Sequence, residues 1–189
     1  NVPGETRLTG KGVSYCGTCD GYFFKEKHIV VVGGGDSALE EGIFLTRFAA
    51  SVTIIHRRDS LRAGAILQTR AEANPKIKYI WNTIVTEIAG DQSVAGVHLQ
   101  NTQTGETSFM PTQGVFIFIG HTPNTQMFAD QLEMMDGGYI KVNQRAHTSV
   151  EGVYAAGEAA DATFKQVVTS AGMGAAAAME AVRFLEENG

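Results

Sequence analysis

Cysteine, proline and tryptophan are all scarce in this chain of 189 residues, with two, four and one copies respectively. Two cysteines are too few for the disulfide framework of a small secreted domain. No apolar run approaches the roughly 20 residues that a membrane-crossing helix needs. The longest candidate, the alanine-rich stretch 171–178, is interrupted by Gly172 and Gly174 and runs on into charged residues. An excess of basic charge is missing too: the formal net charge is -5, which leaves no electrostatic footprint for nucleic acid. The opening Asn1-Val2-Pro3-Gly4-Glu5 is polar and turn-like and lacks the pattern of a secretory leader. A cytoplasmic, reducing setting is therefore expected. An initiating methionine is also absent, so we expect a chain that begins inside a longer protein.

The periodicities that are present describe an α/β chain. Residues 28–32 form a β-branched run of the kind found in buried parallel strands. A triple-glycine turn follows, then helix-like apolar spacing over 36–49. A second buried strand is expected over 52–55 and a helix over 63–73, stopped by Asn74-Pro75. Short strands at 77–81, 83–89, 94–100, 106–110 and 115–119 are separated by turn signals such as Thr104-Gly105. The stretch 83–110 reads as an antiparallel meander inserted before a last core strand. Beyond the loop 120–124, strands are expected at 139–142 and 153–156, and a long helix at 167–187. The expected organisation is a Rossmann-like domain over 1–119, followed by the C-terminal part of a second α/β domain over 120–189. The second stretch has too little apolar sheet for its own core, so we expect it to need a sheet from a segment outside the chain.

Gly33-x-Gly35-x-x-Ala38 lies between a predicted strand and a predicted helix. In that setting the first glycine makes the tight turn, the second lets a pyrophosphate approach the backbone, and the small third residue lets the helix pack closely. The helix N-terminus then offers N–H groups and partial positive charge to phosphates. A glycine-rich turn without a ligand is the bland alternative. At the end of the next strand, where NAD sites place a carboxylate for the ribose, this chain has His56-Arg57-Arg58, with Arg62 a turn later. Guanidinium groups bind a 2′-phosphate that a carboxylate would repel, so the pattern points to NADP rather than to a merely solvated basic loop.

Cys16-Gly17-Thr18-Cys19-Asp20 admits four readings. A zinc half-site lacks further ligands at comparable spacing, since His28, His56, His98, His121 and His147 are dispersed; no metal is expected. A structural disulfide would close too small a loop to constrain the unfolded chain much. Two inert thiols leave the spacing unexplained. A redox dithiol–disulfide explains it, because one thiolate can resolve the mixed disulfide made by the other. Asp20 is either a surface turn residue or a proton donor and acceptor beside the thiols.

Taken together, Cys-Gly-Thr-Cys-Asp-Gly at 16–21, Val-Val-Gly-Gly-Gly-Asp-Ser-Ala at 31–38 and His-Arg-Arg-Asp-x-x-Arg-Ala at 56–63 resemble the bacterial low-molecular-weight thioredoxin reductase family. Phe116-Ile117-Phe118-Ile119-Gly120-His121-x-Pro123-Asn124, Gly152-Val153-Tyr154-Ala155-Ala156-Gly157 and Gln166-Val167-Val168-Thr169-Ser170-Ala171-Gly172 continue the likeness in the same order. The resemblance implies an NADPH domain that carries the cysteine pair and is inserted into an FAD domain. It implies that Cys16 and Cys19 form a disulfide reduced by flavin, with Cys19 nearer the isoalloxazine and Asp20 the acid–base. Gly33, Gly35, Asp36, Ser37 and Ala38 would cradle the NADPH pyrophosphate, and His56, Arg57, Arg58 and Arg62 its 2′-phosphate. Ile119, Gly120, Gly157, Glu158, Lys165, Gln166 and Val167 complete the implied cofactor contacts, the last five to FAD. Electrons would run from NADPH through FAD and the cysteines to thioredoxin, in a homodimer whose domains alternate between two orientations.

The chain departs from the family's pattern at Glu158, where Asp is usual, at Lys165, where Arg is common, and at Gly17, where Ala is frequent. A single glycine-rich loop stands where the family has two, so FAD binding is expected to need the segment outside this chain. Two other functions fit the same motifs: the flavoprotein subunit of an alkyl hydroperoxide reductase, and an NADPH-binding module that turns nothing over alone. The intact Gly33–Ala38 loop and basic cluster disfavour ferredoxin-linked relatives.

Overall fold

Continuous apolar runs, whose successive side chains point to opposite sides, build two cores on the two faces of one parallel sheet. The computed structural model describes all 189 residues, which divide into two compact units, Asn1–Gly120 and His121–Gly189. In the first unit the strands are β1 (Val13–Ser14), β2 (His28–Gly33), β3 (Ser51–Ile55), β4 (Ile77–Ile80), β5 (Thr83–Gly90), β6 (Val94–Asn101), β7 (Thr107–Pro111) and β8 (Gly114–Phe118). Five of them form a sheet in the order β1-β8-β2-β3-β4, and β5-β6-β7 form a separate antiparallel sheet. Every pairing in the larger sheet is parallel.

The two-residue period of a strand assigns each side chain to a face. Ile29, Val31, Val52, Ile54, Phe116 and Phe118 point to the face covered by α3 (Asp36–Leu45) and α4 (Ala65–Glu72), where Leu39, Leu45 and Ala71 join them. Val30, Ile55, Val115 and Ile117 point the other way, onto Ile88, Val97 and Leu99 of the antiparallel sheet. The sheet is thus buried on both faces, which is why its strands read as continuous apolar runs rather than as alternating ones.

Helix α3 is shorter than the predicted 36–49. The carbonyls just beyond its end turn to Lys76, whose Nζ donates to Thr46 O at 2.8 Å and Ala49 O at 2.9 Å. The Thr46 hydroxyl donates to Ile43 O at 2.6 Å and accepts from Asn74 Nδ2 at 3.0 Å. A cation at a helix C-terminus matches the negative end of the dipole, and these bonds satisfy carbonyls that one more helical turn would have used. Two short helices, α1 (Glu5–Leu8) and α2 (Gly17–Asp20), and the strand β1 lie in a stretch whose sequence shows only turns and the cysteine pair.

The second unit contains α5 (Val167–Asn188) and irregular chain. The strands expected at 139–142 and 153–156 do not form. Only single bridges occur there, Met134 with Ile140 and His147 with Tyr154. The backbone groups pair singly instead: Met135 N–H donates to Tyr139 O and Thr148 N–H to Val153 O within short turns, and Ile140 N–H to the distant Ala159 O. Gly137, Gly138 and Gly152, all with positive φ, turn the chain back before a ladder can extend. Glu180 fastens α5 to this chain, accepting from Arg145 and His147 at 2.6 and 3.0 Å, and it also accepts from Arg183 of the same helix at 2.7 Å. The hydrogen bond from His147 and the two arginines hold its carboxyl below the usual range against the cost of burial. Val167, Val168, Met179, Val182 and Leu185 on the same helix are exposed.

Candidate functional site

The C-terminal ends of β2 and β8 meet where Gly33 pairs with Phe118. From here the chain leaves β2 toward β3 on one side while β8 closes the other, the switch point at which open α/β sheets bind ligands. Gly33 has φ +153°, and a Cβ on it would run into the Phe118 carbonyl and come within 2.7 Å of Ala38 Cβ. Only glycine fits, and only a small residue fits at the fully buried Ala38. At Gly35 a Cβ would meet nothing within 4 Å, so the backbone there faces open space. Gly35 is also the N-cap of α3 and supplies no capping side chain. The first N–H groups of the helix are therefore left for an anion, as this kind of loop requires.

Gly34 has a different reason, one the sequence conceals. A Cβ there would overlap the imidazole of His56. His56 is 5% exposed, and its Nε2 is buried without a hydrogen-bond partner. Burial, and then the charge of Arg62, push its pKa below the ordinary histidine value, with Arg57 and Arg58 adding to the effect. The expectation placed His56 with the arginines as a phosphate ligand. The ring lies buried beneath the glycine loop, while Arg57, Arg58 and Arg62 are exposed, and His56, Arg57 and Arg62 line one cavity.

Arg62 is tied to the loop by its own N–H, which donates to Gly34 O at 2.8 Å. Asp36 strengthens the same link, its Oδ1 accepting from Gly64 N–H at 2.7 Å. The backbones of Arg57 and Arg58 are held by Thr102 Oγ1 at 3.3 Å and Asn82 N–H at 3.1 Å. A cavity of about 350 Å³ opens beside these residues, lined by Gly33, Gly34, His56, Arg57, Arg62 and Ile119 together with apolar side chains of both sheets. Ser37 and Gly120 are exposed at the same edge.

Cys16 and Cys19 form a disulfide across α2, with Cα atoms 5.3 Å apart. Cys16 is the N-cap of this four-residue helix, and its Sγ accepts from Cys19 N–H at 3.1 Å. Asp20 follows directly. Its Oδ2 accepts the Ser14 hydroxyl at 2.7 Å, while the Ser14 oxygen accepts from Cys16 N–H at 3.1 Å. Ser14 was not anticipated, because a two-residue strand carries no periodic signal. Glu41 was not anticipated either. It rises from α3 under α2, facing the Gly17 and Thr18 N–H groups. Its Oε2 is buried without forming a hydrogen bond, and a Cβ on Gly17 would collide with it. Burial, then the neighbouring Glu40, raise the pKa of its carboxyl, and the two N–H groups partly offset this.

In the second unit, Gly157 has φ +67° and is buried, and a Cβ there would press on Ser170 at 3.3 Å. Glu158 beside it is exposed. Asp161 organises the next turn, its carboxylate accepting from Thr163, Phe164 and Lys165 N–H at 2.9, 2.8 and 3.0 Å and from the Thr169 hydroxyl at 3.2 Å. Burial works to raise the pKa of this carboxyl, but these donors outweigh it and hold the group below its usual range. Lys165 is thereby kept at φ +52°, with Nζ 5.3 Å from the Tyr139 ring centre. Gln166 caps α5 in a reciprocal box with Thr169, and Val167 begins the helix, exposed. A cleft of about 280 Å³ is lined by Glu158, Lys165, Tyr139, His121 and Asn124 among others. Asp161 carries a sequence signal, since an Asp in a turn often accepts from the backbone two residues on, as it does here from Thr163 N–H.

Residues 1–174 match the family model described as pyridine nucleotide-disulphide oxidoreductase. Among curated proteins, the chain is 54% identical over 187 residues to a thioredoxin reductase of Mycolicibacterium smegmatis, covering 98% of this chain and 60% of the relative. It is 49% identical to a bifunctional thioredoxin reductase/thioredoxin of Mycobacterium leprae, covering 99% of this chain and 41% of that protein. The crystal structure of thioredoxin reductase from Streptococcus pyogenes is similar with a TM-score of 0.93 and 44% identity, over 99% of this chain and 61% of that one. The chain thus spans about 60% of the length of the first of these relatives. With a glycine loop at the switch point of a parallel sheet, a disulfide in the same unit and this match over most of its length, the chain belongs to the pyridine nucleotide-disulphide oxidoreductase family.

Proposed function

We propose that this chain is the NADPH-binding and disulfide-carrying part of a thioredoxin-disulfide reductase. The observation that carries the reading is the Cys16–Cys19 disulfide in one unit with a phosphate-ready glycine loop flanked by Arg57, Arg58 and Arg62. In this reading the first unit binds the nucleotide. The N-terminus of α3 takes the pyrophosphate and the three arginines take the 2′-phosphate. The second unit is part of a flavin-binding domain, in which Gly157, Glu158 and the 165–167 turn face FAD. The residues present fit such a group: an exposed carboxylate beside an ammonium lines the cleft, and the backbone turn there is held rigid by Asp161.

When bound, FAD supplies the conversion of a two-electron hydride into electrons that a disulfide can accept. The chain's own residues do the rest. The N–H groups of α2 stabilise a thiolate at Cys16 Sγ, since a helix N-terminus lowers thiol pKa. Asp20 keeps Oδ1 for proton transfer to or from the opened thiol, while Ser14 holds Oδ2. Thioredoxin is the proposed electron acceptor, which the name of the bifunctional relative supports. The reading takes the working protein as a cytoplasmic homodimer; no helix of the structure is long and apolar enough to cross a membrane.

The test uses the protein that carries this chain, with FAD and thioredoxin supplied. NADPH oxidation should depend on thioredoxin and should fall to background in Cys16→Ser and in Cys19→Ser. Thioredoxin-dependent oxidation that persists in the double mutant would overturn the proposal.

A further inference from the structure

We propose that Glu41 sets the reduction potential of the Cys16–Cys19 pair, as a positioning residue that holds a carboxylate against the N-terminus of the helix between the two sulfurs. The inference rests on the reading of that pair as a reversible dithiol–disulfide centre.

The two groups compete for one small region of positive potential. Helix α2 has four residues, and its N-cap is Cys16, whose sulfur already accepts from Cys19 N–H. The thiolate made when the disulfide opens is therefore best placed at Cys16. From below, Glu41 presents its carboxylate to Gly17 and Thr18, the next two N–H groups of the same turn. It reaches them because position 17 is glycine: a methyl there would occupy the space of Oε2. Oε2 is shielded from water, so its charge is screened less than that of a surface residue. An ionised Glu41 thus opposes a second anion on α2. It favours the disulfide over the dithiol and lowers the potential of the pair.

The position of Glu41 gives this contact a further consequence. It lies five residues beyond Asp36, the first residue of α3, or roughly 8 Å along the helix axis. One rigid helix therefore joins the phosphate loop at its start to the carboxylate under the disulfide. A purely structural alternative is that Glu41 only fills space and satisfies N–H groups. Glutamine at this position keeps the shape and an acceptor oxygen while removing the charge, so it separates the two roles.

The experiment equilibrates the chain at pH 8 in buffers of oxidised and reduced dithiothreitol, traps thiols by alkylation and reads the reduced fraction by mass. In this exchange the Cys16–Cys19 bond breaks and a cyclic disulfide forms in dithiothreitol, which supplies both electrons. The two dithiothreitol protons pass to the cysteine sulfurs, or to solvent where Cys16 stays ionised. Glu41→Gln should make the pair easier to reduce by about threefold to tenfold in the equilibrium constant, an upward shift of about 15–30 mV. Gly17→Ala, whose methyl must displace the carboxylate, should shift the midpoint in the same direction and serves if the glutamine variant does not fold. Glu40→Gln removes an exposed charge one residue away and should leave the midpoint within twofold of the parent.

An unmoved midpoint in Glu41→Gln and Gly17→Ala would overturn the inference, as would an equal shift in Glu40→Gln. In either case a reversible parent pair leaves the proposed function standing. A parent pair that does not equilibrate reversibly removes both.

Discussion

Replacing Arg57 and Arg58 together with alanine isolates the proposed 2′-phosphate contact from the rest of nucleotide binding. Both side chains are exposed and neither forms an ion pair within the chain. Their loop is held through backbone atoms, by Thr102 on Arg57 O and by Asn82 on Arg58 O. The double variant should therefore keep its fold to within about 0.5 kcal/mol, the usual effect of surface substitutions. Each lost charge-assisted hydrogen bond to phosphate is worth about 1.5–3 kcal/mol. Two such losses weaken NADPH binding by roughly 10²-fold or more. NADH lacks the 2′-phosphate and should bind the parent and the variant alike. Calorimetric titration of both proteins with both nucleotides measures the difference directly. Equal losses for NADPH and NADH would refute the assignment, and so would an unchanged NADPH affinity.

Three further outcomes follow from the packing around the sites. Gly34→Ala drives a methyl into the His56 ring and should cost about 1–3 kcal/mol in urea denaturation, as overpacking does; His56→Ala in the same chain should recover part of the loss. Because the folded pKa of His56 is depressed, its neutral form contributes no pH dependence above the unfolded value near 6.5. As pH falls through that value the unfolded chain takes up a proton that the fold resists. Stability should thus decline from pH 7.5 to 5.5, and His56→Asn should remove part of the decline in denaturation curves at the two pH values. Asp161→Ala should cost the second unit about 1–2 kcal/mol, as the loss of an Asp cap does, and should speed amide exchange at Thr163, Phe164 and Lys165. Its carboxyl is held low in the fold, so the stabilisation it supplies should be present above the unfolded value near 4 and vanish as pH falls through the folded one.

Much of the first unit can be read from local pattern. β2, the glycine turn and α3 follow one another so closely that a β-branched run, a turn signal and a helical period name all three. The meander is announced by its turns, and the cysteine spacing and the arginine pair sit at short, fixed distances from these elements. Each of these features depends on residues that are neighbours along the chain.

What escaped the pattern depends on contacts between distant residues. His56 stands beside two arginines in sequence, yet it is turned under a glycine 22 positions earlier, where burial disfavours its charged form. Glu41 belongs to an ordinary acidic stretch of a helix until α2 packs over it and glycine at position 17 admits its carboxylate. Beyond Leu45, where helix α3 stops, the Thr46 and Ala49 carbonyls are taken by Lys76, which the next helix and strand bring near. Residues 139–142 and 153–156 have the composition of strands, but each found a single bridging partner and its other backbone groups pair with scattered loop residues. Propensity selects a local backbone conformation; which side chains are desolvated, which charges face one another and whether a strand has a neighbour are settled by tertiary packing.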